Sequence, residues 1–417
     1  MELSDAPRAL LQQVTVDDAT DAERRLRFPV GATVSFDDLE LAGRESVLDD
    51  LREREPVSWV PALGGWLITS RACARELLTS PAASVEAEQN LVRASLGTMM
   101  LTTDSDEHSR LRRPFEPPFR ISTVEATFGR AITAEASGLL DGLLPDGGCE
   151  LGAQFAAPFA VRMAGRMLGI SLEDVQQIDQ FYTAFAGAMV YDGNPEPQRL
   201  ADSARASLNS ILRAEVERSR ATGGESITAL VATGHGETAG GLTDDEIIAQ
   251  LRVVMFGAIE TVQASIMNTL LLLLEHPDQL ASVHEDLTLV TAAAEEARRL
   301  IPPVSFVERW TRQAVDIGGV TIPAGEFVGV SILAANRDPA TFADPAAFDV
   351  RRRGSSRALT FSFGEHACLG LHAARLETRV ALEQLLTRCR GLTLTRYDPP
   401  GGFAFRRPQS MHVEWQV

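Results

Sequence analysis

Five residues within FSFGEHACLG, positions 361–370, have types and offsets that could do chemistry together: Phe361, Gly364, His366, Cys368 and Gly370. A cysteine ligates a metal as its thiolate, and a thiolate needs a tight loop whose backbone N–H groups face the sulfur. Gly364 and Gly370 permit the close approach and the positive φ that side chains would block. Phe361 would pack against such a loop, and His366 would offer a donor to an anionic group beside the metal. A free cysteine buried near a glycine-rich turn is the commoner reading of any single cysteine. The pattern F-x-x-G-x-H-x-C-x-G, however, should arise by chance in roughly one chain in 10⁵ at average composition, so the ligand loop is the better account.

Three other groupings could assist it. In EEARRLIPPV, 295–304, Glu296 and Arg299 are three apart, so a helix would let acid and guanidinium meet. Taken alone, E-x-x-R is usually a surface pair of little energetic value. In GAIET, 257–261, Gly257 is costly inside a helix, and Glu260 with Thr261 sets an acid and an alcohol among apolar neighbours. An isolated Glu-Thr pair in a helix is ordinarily unremarkable. In DSDEHSRLRRPF, 104–115, His108 and Arg112 lie one turn apart and could clamp an anion, with a solvated basic face as the plainer alternative.

Together these segments resemble the cytochrome P450 family. Its haem-ligand loop reads F-G-x-G-x-H-x-C-x-G, and residues 361–370 match it except at Ser362, where the family usually has Gly. The resemblance runs across almost the whole chain from about residue 55. Glu296 and Arg299 resemble the family's E-x-x-R helix, and FDVRR, 348–352, adds Arg352 as the third member of a buried structural triad. His108 and Arg112 match the H-x-x-x-R helix that holds one haem propionate, and Arg309 stands where the family reaches the other. GAIET resembles A-G-x-[DE]-T with the small pair inverted and Val262 after the Thr. The resemblance implies haem b (iron protoporphyrin IX) ligated by Cys368, with Glu260 and Thr261 relaying protons to dioxygen.

The elements that must position these groups are mainly helical. Apolar residues recur at helical spacing from about 123 to 300, and short alternating segments appear near 57–69, 306–332 and 411–415. The expected class is mainly α: a P450-like fold with small peripheral sheets, residues 1–417 forming one haem domain with no fused reductase. Thr243 and Glu246 form a capping-box pattern opening a helix that runs to Glu275, before Pro277. At 1.5 Å per residue it would span roughly 50 Å and run through the core.

Composition narrows the partners. The 417 residues are 45% apolar and 23% charged, enough for a sizeable core, and the net charge of −18 argues against nucleic acid. All 39 basic side chains are arginine. The four cysteines are scattered, without C-x-x-C or C-x₄-C-x₂-C spacing, so electrons would come from another protein, and a reducing cytoplasm is expected. No secretory leader is read at the start. The most apolar run, SIMNTLLLLL at 265–274, is too short to span a bilayer, so no membrane partner is expected. GHGETA, 234–239, fits a dinucleotide pattern on paper but reads as a loop between helices.

The expected function is a bacterial-type monooxygenase that uses dioxygen and electrons from a ferredoxin and its reductase to oxidise a small, largely apolar molecule, an activity suited to secondary metabolism. Its pocket would be lined by the 84–100 loop, Phe181, Tyr182 and Phe185, Val253, Val254, Gly257, Ala258, Val304, Phe306 and Phe403, several of which could equally be core. Arg110, Arg113, Arg120, Arg351 and Arg353 would steer an acidic ferredoxin. Two rivals remain at this point. A peroxide-driven peroxygenase of the same fold would manage without Glu260 and Thr261, and a non-catalytic haem-thiolate sensor would need the cysteine loop but no relay.

Overall fold

The computed structural model describes residues 17–171, 173–174, 181, 195–234 and 241–417. The helices that bear on the site are, in chain order, α1 (Ser105–Arg112), α2 (Ile121–Leu143), α3 (Ala157–Leu168), α4 (Pro195–Thr222), α5 (Asp244–Glu275), α6 (Leu289–Leu300) and α7 (Leu371–Arg388). The strands are β1 (Val57–Val60), β2 (Gly65–Ile68), β3 (Ala83–Ser84), β4 (Gly148–Glu150), β5 (Phe306–Thr311), β6 (Val315–Ile317), β7 (Val320–Ile322), β8 (Phe327–Ser331), β9 (Thr393–Tyr397) and β10 (Met411–Glu414). The three segments expected to alternate form β1 with β2, β5 to β8, and β10, while β3, β4 and β9 arise outside them.

Helix α5 organises the rest. The Thr243 hydroxyl accepts from the Glu246 N–H while the Glu246 carboxylate accepts from the Thr243 N–H, so two otherwise orphaned donors are satisfied where the helix begins. It packs against α3, α6, α7 and α4. Leu270, Leu271 and Leu273 are almost fully buried, each contributing roughly 1.5–3 kcal/mol of transfer free energy. The whole 32-residue helix is long and apolar enough to cross a membrane, which the ten-residue run alone is not, but 78% of its apolar window lies buried inside the protein. That is how the central helix of a packed core behaves.

One sheet has the order β1-β2-β8-β5-β3, in which β2 and β8 run parallel and the other neighbours antiparallel. A second has the order β4-β10-β9, and β6 with β7 forms a hairpin. The register of β5 on β8 sets Glu308 opposite Gly329 and Phe306 opposite Ser331. A Cβ at Gly329 would come within 2.0 Å of the Phe306 ring, so glycine there lets that ring lie flat across the sheet. The main core surrounds α5, and two smaller clusters cover the two faces of the first sheet.

Candidate active site

The cysteine loop is built by two consecutive reversals. Ser362 adopts φ 60° and Gly364 φ 76°, while Gly370 lies at φ −81°, so positive φ falls at 362 and 364 and not at 370. The backbone explains why glycine suits position 362: a side chain in the left-handed region is strained. Gly364 is needed on a second ground, because a Cβ there would meet the Leu78 carbonyl oxygen at 2.5 Å. The Cys368 N–H donates to the Phe361 carbonyl at 2.8 Å and closes the loop. The sulfur is open on one side, yet it sits deep enough that burial pushes its pKa up. The backbone N–H groups of Gly370 and Leu371 and the cations Arg112 and Arg375 act in the opposite direction. α7 starts directly after the loop, so its positive dipole end also faces the thiol. The Phe361 ring lies between the guanidinium groups of Arg298 and Arg375, at 5.6 and 5.2 Å.

Beside this loop lies a buried cluster of donors. His108, on α1, donates from Nδ1–H to the Met100 carbonyl at 2.6 Å, while its buried Nε2 has no partner among the described residues. Its ring meets that of His366 edge-on at 4.4 Å. His366 Nε2 is 3.0 Å from Asp104 Oδ1, so the donor expected to face an anionic group is engaged with a carboxylate of the protein. Burial raises the Asp104 pKa, but hydrogen bonds from His366, Ser84 and the Val85 N–H outweigh it and hold the group at about 2. Arg309 is 6% exposed and burial lowers its pKa to about 10, leaving it a cation at neutral pH. Arg112 lies 3.4 Å from Glu116.

Glu296, Arg299 and Arg352 meet where α6 is fastened to the segment 336–355. Glu296 accepts from Arg299 Nε and Nη2 at 2.8 Å each, from Arg352 Nε at 2.7 Å and from the Ser355 hydroxyl at 2.9 Å. Arg299 spends its remaining donors on the carbonyls of Asn336, Pro345 and Ala347. Glu296 and Arg299 are fully buried, and every strong donor and acceptor is matched, which is the condition for a buried ion pair to be tolerated.

Between Ile247 and Leu273, the positions of α5 that are not buried are Val254, Gly257, Ala258 and Thr261. Their 3-1-3 spacing makes one stripe on one face. The Thr261 hydroxyl donates to the Gly257 carbonyl at 2.5 Å. That ties the alcohol to the one glycine of the helix and withdraws the carbonyl from pure backbone bonding. Glu260 is off the stripe and 8% exposed, and it accepts from Arg407 Nε at 2.5 Å. The acid and the alcohol are therefore neighbours in sequence with different surroundings.

The other expected pocket residues divide. Val254, Gly257 and Ala258 lie on the stripe, whereas Val253 is in the main core. Phe306 and Phe403 pack ring to ring at 4.3 Å within the second core cluster, with Phe36 at 4.9 Å from Phe403. Val304 bridges to Phe405. Phe181 is buried, and Tyr182, Phe185 and most of the 234–239 segment fall outside the described residues. Of the expected docking arginines, Arg113, Arg120, Arg351 and Arg353 are exposed, but Arg110 is paired with Glu107 and Glu246. Arg75, over the Phe363 ring at 4.2 Å, joins the exposed set.

Arg407 and Asp104 were not singled out from the sequence. Arg407 lies 147 residues from its partner, and no local pattern reports such a pair. Asp104 had a visible signal, a carboxylate just ahead of the helix that bears His108.

Comparison with known proteins agrees with this geometry. The family model described as Cytochrome P450 matches residues 199–401. Cytochrome P450 monooxygenase PikC of Streptomyces venezuelae is 32% identical over 337 residues, covering 79% of each chain. The 6-deoxyerythronolide B hydroxylase of Saccharopolyspora erythraea is 34% identical over 365 residues, covering 83% of this chain and 88% of that one. Among solved structures, P450BioI in complex with an acyl carrier protein ligated to hexadec-9Z-enoic acid superimposes with TM-score 0.82 at 26% identity, over 90% of this chain and 98% of that one. CalO2 gives 0.81 at 26%, over 96% and 99%. At 32% and 34% identity over most of their length, these relatives show that the chain belongs to the cytochrome P450 family, as a monooxygenase of the bacterial type.

Proposed function

We propose that residues 1–417 form one haem domain that uses dioxygen and electrons from a ferredoxin and its reductase to hydroxylate a small, largely apolar secondary metabolite in the cytoplasm. The observation that carries this reading is the Cys368 loop, whose Gly370 and Leu371 N–H groups oppose the upward push of burial on the thiol. The family's cofactor is haem, and the residues fit haem b: a thiol with stabilising donors, a buried His108 Nε2 without a partner among the described residues, and the cations Arg112 and Arg309 nearby. Cys368 would ligate the iron, Phe361, Gly364, His366 and Gly370 would shape that ligand's loop, and His108, Arg112 and Arg309 would hold the propionates. When bound, the haem supplies reductive activation of dioxygen and insertion of one oxygen atom into the substrate.

The chain's own groups do the rest. The Thr261 hydroxyl, anchored to Gly257, holds a proton donor on the open stripe of α5, and Glu260 is positioned by Arg407 to resupply protons from the protein side. Val254 and Ala258 present apolar surface beside them, which supports a hydrophobic substrate and limits water. PikC and the 6-deoxyerythronolide B hydroxylase carry names from secondary metabolism, which supports polyketide-like compounds as first candidates. The exposed Arg75, Arg113, Arg351 and Arg353 support an acidic electron donor in a protein of net charge −18. Cys73, Cys149 and Cys389 are buried free thiols, as a reducing compartment keeps them. The test is NADH oxidation through a ferredoxin and its reductase in the presence of candidate polyketides. Substrate-dependent consumption with a product heavier by one oxygen supports the proposal, and haem reduction without any oxidised product across the panel counts against it.

A further inference from the structure

Gln250 is a fully buried amide on α5, and a buried amide is costly unless both of its ends are bonded. Its Nε2 donates to the Glu246 carbonyl one turn earlier at 3.1 Å, and its Oε1 accepts from the Met100 N–H at 2.7 Å, across 150 residues of chain. Met100 is held on its other side by α1, since its carbonyl accepts from His108 Nδ1–H at 2.6 Å. The turn around Met100 is tied within itself: the Met99 N–H donates to the Thr102 hydroxyl and the Thr103 hydroxyl to the Met99 carbonyl, each at 3.0 Å. A carbonyl can only accept, so the Nδ1 of His108 carries a proton and Nε2 is the nitrogen left over. That Nε2 is buried and has no partner among the described residues. Gln250 also lies four residues before Val254, on the line of the open stripe of α5. The contact that covers the helix at that end of the stripe is therefore the one that leads to His108.

An Nδ1–H bonded to a carbonyl fixes the orientation of an imidazole and makes its other nitrogen more basic. We propose that Gln250 is a positioning residue for the haem: it holds Met100, Met100 holds the His108 ring in one orientation, and Nε2 is thereby kept for a propionate. This rests on the haem reading above, in which His108 is one of the propionate residues. The role differs from that of a core amide that merely props the turn around Met100. It runs through His108, so it must vanish once His108 is replaced.

The experiment measures haem loss from the purified holoenzyme, followed as transfer of ferric haem to excess apomyoglobin, beside the ferrous–CO spectrum of the same samples. Gln250→Met keeps the length of the side chain and removes its oxygen, and His108→Phe keeps a ring and removes Nε2. Each should lose haem about tenfold faster than the wild type, and the double variant no faster than His108→Phe alone. Gln250→Glu should retain haem as the wild type does, because burial keeps its carboxyl protonated and its O–H replaces the amide N–H toward the Glu246 carbonyl. Wild-type retention in Gln250→Met or His108→Phe, single effects that multiply in the double variant, or a Gln250→Glu that loses haem as fast as Gln250→Met overturns the proposal. If Gln250→Met does not fold, Gln250→Asn, which draws the amide back from Met100 by one methylene, carries the same expectations. A wild type with a normal CO spectrum whose variants keep their haem sinks this inference alone, whereas a wild type that takes up no haem sinks the haem reading.

Discussion

Arg407 Nε donates to Glu260 at 2.5 Å, fastening the middle of the central helix to the segment that precedes the last strand. The acid most eligible to move protons thus has a fixed cation beside it, one residue from a hydroxyl bound to its own helix. Removing the guanidinium with Arg407→Leu takes away the group that holds the Glu260 carboxylate in its place. The expected outcome is turnover about tenfold slower, read from product formation with NADH oxidation followed in parallel. An unchanged rate would remove the Arg407-held position of Glu260 from the proton path.

Thr261→Val keeps the shape of the side chain and deletes the donor. Product formation should fall by about tenfold to a hundredfold while NADH consumption continues, the difference appearing as hydrogen peroxide. Full coupling in the variant would mean that the hydroxyl serves only the helix.

Ser362 holds a left-handed backbone that glycine adopts without strain. Ser362→Gly should stabilise the protein by about 1 kcal/mol in urea titration and leave the ferrous–CO spectrum unaltered. Destabilisation would show that the serine side chain offsets its own strain.

Glu296→Gln withdraws the charge on which Arg299 and Arg352 converge. A loss of about 3–5 kcal/mol in folding stability is expected, or no soluble protein at all. A loss below about 1 kcal/mol would contradict the view that the triad fastens α6 to the segment 336–355.

Asp104 gives a stability effect with a defined pH window. Its folded pKa, about 2, lies below the ordinary carboxylate value, so its contribution is present above the unfolded pKa and disappears as pH falls through the folded one. Asp104→Asn should therefore be less stable than the wild type at pH 7, and the gap should close between about pH 4 and pH 2 in urea titrations. A gap that stays constant over that window would assign the effect to packing.

Much of this site was legible in the sequence because its parts are local. The loop at 361–370, the Glu296–Arg299 spacing and the capping box at Thr243 each depend on neighbours a few residues away. The span of α5 followed from that cap and from Pro277. What was not legible is what chain crossings decide. Arg407 finds Glu260, Asp104 takes the donor of His366, and Phe306 with Phe403 closes into a core instead of standing open. Which face of α5 stays open is likewise a property of the helices packed around it, since its apolar positions run nearly all the way round.

The central claim is that Cys368, as thiolate, is the iron ligand. The direct measurement is the ferrous–CO difference spectrum of the Cys368→Ser protein beside the wild type, both reconstituted with haem. The wild type should give the long-wavelength thiolate Soret band and the variant should lose it while still binding haem. An identical band in both proteins would contradict the account.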